Sequence, residues 1–156
     1  MRRFDLHSLR FRDASELWRT LPVGVAPFQY GGLEYHVPDD VVAAELTVAR
    51  VGDNLTLTIL VDTRVLGPCQ RCLADADIVV DAEGMEYARH GESSPEPDDE
   101  DDAYVVAHQL DLERWVRDLI AEALPQKLLC RDDCRGLCPV CGADLNADPA
   151  HGHVEA

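Results

Sequence analysis

Six cysteines fall into two clusters: Cys69-Gln70-Arg71-Cys72 and, far along the chain, Cys130, Cys134, Cys138 and Cys141, with His151 and His153 close behind. A Cys-x2-Cys on a tight turn aims both thiolates at one ion while backbone amides donate to the sulfurs. In Cys138-Pro139-Val140-Cys141-Gly142 the glycine after the second cysteine suits the left-handed turn of a zinc knuckle. Pairs spaced x2, x3 and x2, with two histidines to follow, point to zinc.

A structural zinc ion takes four Cys or His ligands, so eight candidates admit several assignments. One has two centres, Cys69, Cys72, Cys130 and Cys134 on the first ion, Cys138, Cys141, His151 and His153 on the second. Another has a single ion between the two Cys-x2-Cys pairs, leaving Cys130, Cys134 and the histidines unused. A third puts all four cysteines from 130 to 141 on one ion and leaves Cys69 and Cys72 unemployed. Zinc is therefore expected as one or two ions, and any site using Cys69 would clamp remote segments together.

The same cysteines allow a rival, a thiol oxidoreductase using Cys69 and Cys72 with Arg71 lowering a thiol pKa. That chemistry belongs at a helix start in a βαβ unit, whereas this pair follows Gly67-Pro68 between two expected antiparallel strands. Hydrolytic zinc needs an open coordination position, and the chain has neither an HExxH string nor a Gly-x-Ser-x-Gly elbow. No enzymatic activity and no small-molecule substrate are expected.

The elements that must position these residues can be read from periodicity. Residues 43–51 and 55–65 alternate apolar and polar side chains around Gly52-Asp53-Asn54, predicting an antiparallel hairpin with one face buried. Ile78 to Ala88 reads as a third strand, so the first cysteine pair becomes the turn between strands two and three. Tyr104 to His108 reads as a last strand. Leu112, Trp115, Val116, Leu119, Ile120 and Ala123 form one helical stripe, with Asp111 as N-cap and Pro125 limiting the far end. Upstream, Phe4 to Phe11 suggests a short strand and Ala14 to Leu21 a turn or two of helix.

The expected architecture is α+β: an antiparallel β-sheet covered by one C-terminal amphipathic helix, then a zinc-knuckle segment. Residues 1–40 form a basic arm and irregular segment, and residues 41–156 the zinc-binding domain. Residues 91–102 hold no apolar side chain and are expected to be a disordered acidic loop.

The net charge is −16, from 14 Lys+Arg against 30 Asp+Glu. An acidic body repels a polyanion, so any RNA contact must be local. The candidates are Arg2, Arg3, Arg10 and Arg12 of the arm, and Arg71, Arg131 and Arg135, which flank cysteines and are expected to form a small basic spot. The acid excess equally suits attraction of basic proteins. No apolar run is long enough to span a membrane, and Met1-Arg2-Arg3 leads into polar residues instead of a signal core, so a cytoplasmic protein is expected.

Taken in order, the hairpin leading into Cys69-Gln70-Arg71-Cys72-Leu73, the acidic insert, the helix ending Leu124-Pro125, and Cys134-Arg135-Gly136-Leu137-Cys138-Pro139-Val140-Cys141-Gly142 with Leu145-Asn146 resemble the YceD family of large ribosomal RNA subunit accumulation proteins. The resemblance implies a non-enzymatic ribosome biogenesis factor that promotes accumulation or processing of 23S rRNA during large-subunit assembly. Its partners would be large-subunit rRNA or its precursor, basic ribosomal proteins, or both. The alternative is an acidic adaptor that binds a basic ribosomal protein. Many relatives carry a further Cys-x-Cys where this chain has His151-Gly152-His153, a departure that bears on the second metal site.

Overall fold

The computed structural model describes residues 3–11, 15–89, 104–106 and 108–153. Arg2, Arg12 and the acidic segment 91–102 lie outside them. In chain order the strands are β1 (Arg3–Asp5), β2 (Glu16–Gly24), β3 (Phe28–Tyr30), β4 (Leu33–Tyr35), β5 (Val41–Val51), β6 (Asn54–Pro68), β7 (Asp75–Arg89), β8 (Val105–Val106) and β9 (Gln109–Asp111), followed by the helix α1 (Leu112–Ala123).

β2, β5, β6 and β7 form an antiparallel four-stranded sheet in that order. The expected hairpin is β5–β6, in which Val51 pairs with Asn54 across Gly52-Asp53, and Gly52 takes a φ of 63° that a side chain would oppose. β7 pairs with β6 along its whole length, from Asn54↔Arg89 to Pro68↔Asp75. The cysteine-bearing turn therefore sits at the closed end of the longest strand pair among the described residues.

Alternation decides the faces. Val42, Ala44, Leu46 and Val48 of β5 and Leu55, Leu57, Ile59 and Val61 of β6 are all buried on one side. α1 covers that side, burying Leu112, Trp115, Val116, Leu119 and Ile120, while Ala123 of the expected stripe is exposed. The Asp111 carboxylate accepts from the amide of Arg114, as an N-cap should. The helix seats closely because β7 carries Gly84 beneath it: a Cβ there would lie 2.8 Å from a Leu119 methyl and 3.0 Å from Trp115 Nε1. Complete burial of such side chains contributes about 1.5–3 kcal/mol each, so the helix is held by its apolar stripe and not by its own propensity.

Residues 14–21 were expected to be helical, and Glu16–Gly24 is instead a strand paired with β5. The pairing edge of β5 outweighs the modest helix propensity of so short a segment, and Leu17, Leu21 and Val23 point inward with period two. The strand expected from Tyr104 to His108 is two residues of β8, which pair with β9, and β9 pairs with β1.

Two small features carry the sheet to the cysteines. The β3–β4 hairpin lies against the far end of β6, bridged at His36↔Leu66. Gly67 leaves room for the ring of Tyr35, whose hydroxyl donates to the carbonyl of Pro68 at 2.8 Å. The base of the turn is thus fixed by packing before any ion is considered.

Candidate metal centres

The turn at the end of β6 places Cys69 and Cys72 together. The Leu73 amide donates to the Cys69 carbonyl at 2.9 Å and the Cys69 amide to the Ala74 carbonyl at 2.7 Å. Cys138 to Ala143 repeats this pattern, with Gly142 donating to the Cys138 carbonyl and Cys138 to the Ala143 carbonyl, both at 2.8 Å. The residue after each second cysteine is left-handed, Leu73 at φ 61° and Gly142 at φ 74°.

The structure gathers the eight candidate ligands into two groups of four: Cys69, Cys72, Cys130 and Cys134, and Cys138, Cys141, His151 and His153. Within each group the ligand atoms all lie within 4.8 Å of one another. In the first group Cys69 Sγ is 3.7 Å from Cys134 Sγ, and Cys72 Sγ is 3.6 Å from Cys130 Sγ. A tetrahedron with zinc–sulfur bonds of about 2.3 Å has edges of about 3.8 Å, so these spacings suit four thiolates around one such ion. In the second group Cys138 Sγ is 3.1 Å from His153 Nε2, Cys141 Sγ is 3.2 Å from His151 Nε2, and the two Nε2 atoms are 3.3 Å apart. With zinc–nitrogen bonds near 2.0 Å the nitrogen–nitrogen edge would be about 3.3 Å.

The four-thiol centre is built into the fold. Cys69 and Cys134 are buried and Cys72 and Cys130 partly so. Gln70 joins the turn to the C-terminal segment, its amide donating to the Leu128 carbonyl at 2.9 Å and its Oε1 accepting from the Leu128 amide at 3.2 Å. Arg71 donates through Nη1 to the Cys134 carbonyl at 2.6 Å, and its own carbonyl accepts from the Leu137 amide. Gly136 lies so close that a Cβ would be 2.9 Å from the Arg71 carbonyl oxygen.

Sulfurs this close cannot all ionise without a cation among them. Burial pushes the Cys69 thiol up, but amide hydrogen bonds, chiefly from Arg71, more than offset this and bring it down to about 6. Cys130 goes the other way, to about 12, through burial and then the neighbouring thiols. One thiolate is favoured and the last opposed, an imbalance that a divalent ion at the centre would remove. In the second group amide hydrogen bonds, led by that of Cys141, together with His153 bring Cys138 down to about 6.

Asn146 was not among the residues singled out as site residues. Its Nδ2 lies 3.6 Å from Cys134 Sγ, and its Oδ1 accepts from the Arg135 amide at 2.8 Å and from Arg131 Nη2 at 2.9 Å. Only the Leu145-Asn146 pair in the family resemblance drew attention to it. Of the arginines beside the cysteines, Arg71 reaches the Cys134 carbonyl, Arg135 reaches the Pro149 carbonyl at 3.3 Å and Arg131 pairs with Asp133 at 3.2 Å. Of the arm arginines that are described, Arg3 lies in β1 and Arg10 donates to the His7 carbonyl.

The Cys69–Cys72 turn joins two antiparallel strands and opens no helix, unlike the setting a thioredoxin-type motif requires. No helix among the described residues is long and apolar enough to cross a membrane.

The family described as large ribosomal RNA subunit accumulation protein YceD matches residues 57–156, a stretch that holds every cysteine and both histidines of the two groups. An uncharacterized protein of Mycobacterium tuberculosis is 33% identical over 113 residues, which cover 71% of this chain and 55% of the relative. One from Mycobacterium bovis gives the same figures, and one from Mycobacterium leprae is 31% identical over 111 residues, covering 70% and 51%. The chain spans about half the length of these curated relatives. No solved structure matches it.

Proposed function

This chain belongs to the YceD family, and from that premise we propose that it is a non-catalytic, cytoplasmic ribosome biogenesis factor that binds two structural zinc ions and supports accumulation of 23S rRNA in large-subunit assembly. The observation that carries the reading is the meeting of Cys69 and Cys72, at the end of a strand pair, with Cys130 and Cys134 from a remote segment, at spacings that suit one tetrahedral ion. Zinc would be held on one side by Cys69, Cys72, Cys130 and Cys134 and on the other by Cys138, Cys141, His151 and His153. Both sets of four fill a tetrahedron and leave no open position for water or substrate, which supports a structural role over a hydrolytic one.

Residues 41–156 are the zinc-binding unit in this reading. RNA contact falls to local cations: Arg71, Arg131 and Arg135 around the first centre, and Arg2, Arg3, Arg10 and Arg12 at the other end of the chain. Two measurements test the proposal. Native mass spectrometry should find two zinc ions per chain, and depletion should lower 23S rRNA relative to 16S. Zinc-free folded protein, or an unchanged rRNA ratio, overturns it.

A further inference from the structure

The face of the main sheet that α1 does not cover is neither uniformly polar nor occupied by any described element. Register places Trp18, Thr47, Thr58 and Met85 in one row across the four strands. The row on one side is Glu16, Ala49, Thr56 and Tyr87, and on the other Thr20, Glu45, Leu60 and Glu83. Trp18 is 62% exposed, Met85 56%, Tyr87 67%, and Val79, further along β7, 71%. The Tyr87 hydroxyl lies 3.1 Å from Met85 Sδ, so the two side chains form one ridge. Trp18 at one edge of the face and the Met85–Tyr87 ridge at the other, with Thr47 and Thr58 between, are large exposed apolar side chains of the kind enriched at binding surfaces.

Among the described side chains, acids predominate on this face. Glu16, Glu45, Asp62, Asp81 and Glu83 project from it, and Arg64 is ion-paired with Asp77. The outward side chains of β7 from Val79 through Asp81, Glu83 and Met85 to Tyr87 span eight residues, about 27 Å at the rise of a β-strand, and the sheet is only four strands wide. Such a strip fits an elongated segment better than a broad globular surface, and its carboxylates repel phosphate while attracting lysine and arginine.

We propose that the open face of the β2-β5-β6-β7 sheet docks a basic protein segment whose apolar side chains alternate with lysines and arginines, the kind of segment a basic ribosomal protein would supply. Trp18, Met85 and Tyr87 take the apolar side chains, and Glu45 and Glu83 flank the basic ones. The inference rests on the ribosomal reading above and assigns the nucleic-acid contact, if the chain makes one, to a different surface.

Trp18 reports on the docking directly, because the other tryptophan, Trp115, is buried in the core. The full-length zinc-loaded chain would be titrated with individually purified, RNA-free basic proteins of the large subunit and, separately, with naked 23S rRNA. Trp18 emission is taken as the difference between the parent and Trp18→Ala. The expected result is a blue shift with at least one basic protein, none with rRNA, and at least tenfold weaker binding in both the Trp18→Ala/Met85→Ala and the Glu45→Lys/Glu83→Lys variants. Unchanged zinc content and thermal unfolding show that the variants fold.

Basic-protein binding that both variants retain in full, rRNA that shifts Trp18, or a dimer of the free chain that the variants dissolve would overturn the proposal. Complementation separates the two readings. If depletion lowers 23S rRNA and the face variants restore it as well as the parent does, the docking surface fails alone. If depletion leaves 23S rRNA unchanged, the ribosomal reading fails whatever the face binds.

Discussion

At Cys69–Cys72 the turn is closed by Leu73 in the left-handed region, and at Cys138–Cys141 the same hydrogen-bonded turn is closed by Gly142. The surroundings differ more than the turns do. The first grows out of β6 and β7 and collects its other two thiols from a remote segment, while the second completes its set within residues 138–153. With zinc bound, four thiolates leave a net charge of −2, and two thiolates with two neutral imidazoles leave none. The Arg71 amide donates to Cys69 Sγ, Asn146 Nδ2 lies near Cys134 Sγ, and Arg71 Nη1 donates to the Cys134 carbonyl beside the charged set. The neutral set keeps Cys141 exposed. With ions in place the first centre would act as a joint of the fold and the second as a clasp on residues 138–153.

The largest effect that tests this difference comes from removing one thiol at each centre. Structural zinc contributes about 10–16 kcal/mol in apparent binding energy, more than the net stability of many domains. Cys134→Ser should reduce the zinc count from two to one and abolish amide-exchange protection across residues 128–137. Thermal unfolding of the whole chain should drop by well over ten degrees. Cys141→Ser should also cost one ion but open only residues 138–153, leaving the sheet's melting within a few degrees of the parent. Equal losses in the two variants would refute the distinction between joint and clasp.

A smaller effect isolates the close approach between segments. Gly136 and Gly142 are both left-handed, at φ 79° and 74°, but only Gly136 faces another backbone, that of Arg71. Gly142→Ala should cost about 1 kcal/mol from backbone strain alone. Gly136→Ala carries the same strain and an overlap besides, about 2–4 kcal/mol together. Arg71→Ala removes a charge-assisted hydrogen bond to the Cys134 carbonyl and should cost roughly 1.5–3 kcal/mol. Denaturant unfolding of the zinc-loaded variants measures all three, and Gly136→Ala no worse than Gly142→Ala would show that the contact can relax.

The β5–β6 hairpin, β7, the buried stripe of α1 and its Asp111 cap could be read from the sequence because each is written in local periodicity and one capping residue. β2 could not, since what holds Glu16–Gly24 extended is the edge of a strand reached only through the β3–β4 hairpin. The ligand types were legible from spacing, and so was the partition into these two sets as one of three arrangements, but spacing could not choose among them, because Cys130 lies near Cys134 in sequence whichever ion it serves. What sorts them is the Gln70–Leu128 pairing, which carries the segment containing Cys130 and Cys134 back to the first turn. Neither Gln70 nor Asn146 is a ligand in these spacings, and both act through contacts between distant segments.

The smallest effect bears on the one place where the two turns break the same rule differently. Leu73 is 59% exposed, so its side chain gains little from packing, yet its backbone sits where a Cβ costs roughly 1–2 kcal/mol. Glycine there would relieve that strain and lose part of the gain, about 0.5–1 kcal/mol, to the greater freedom of the unfolded chain. Leu73→Gly should therefore stabilise the zinc-loaded protein by a few tenths to about 1 kcal/mol, a rise of one to about four degrees in melting temperature. Gly142→Leu should fall by a similar margin. A clear loss of stability in Leu73→Gly would mean that the exposed leucine contributes an interaction of its own at the first turn, and the two turns would then differ in what their fifth residue does as well as in how it is tolerated.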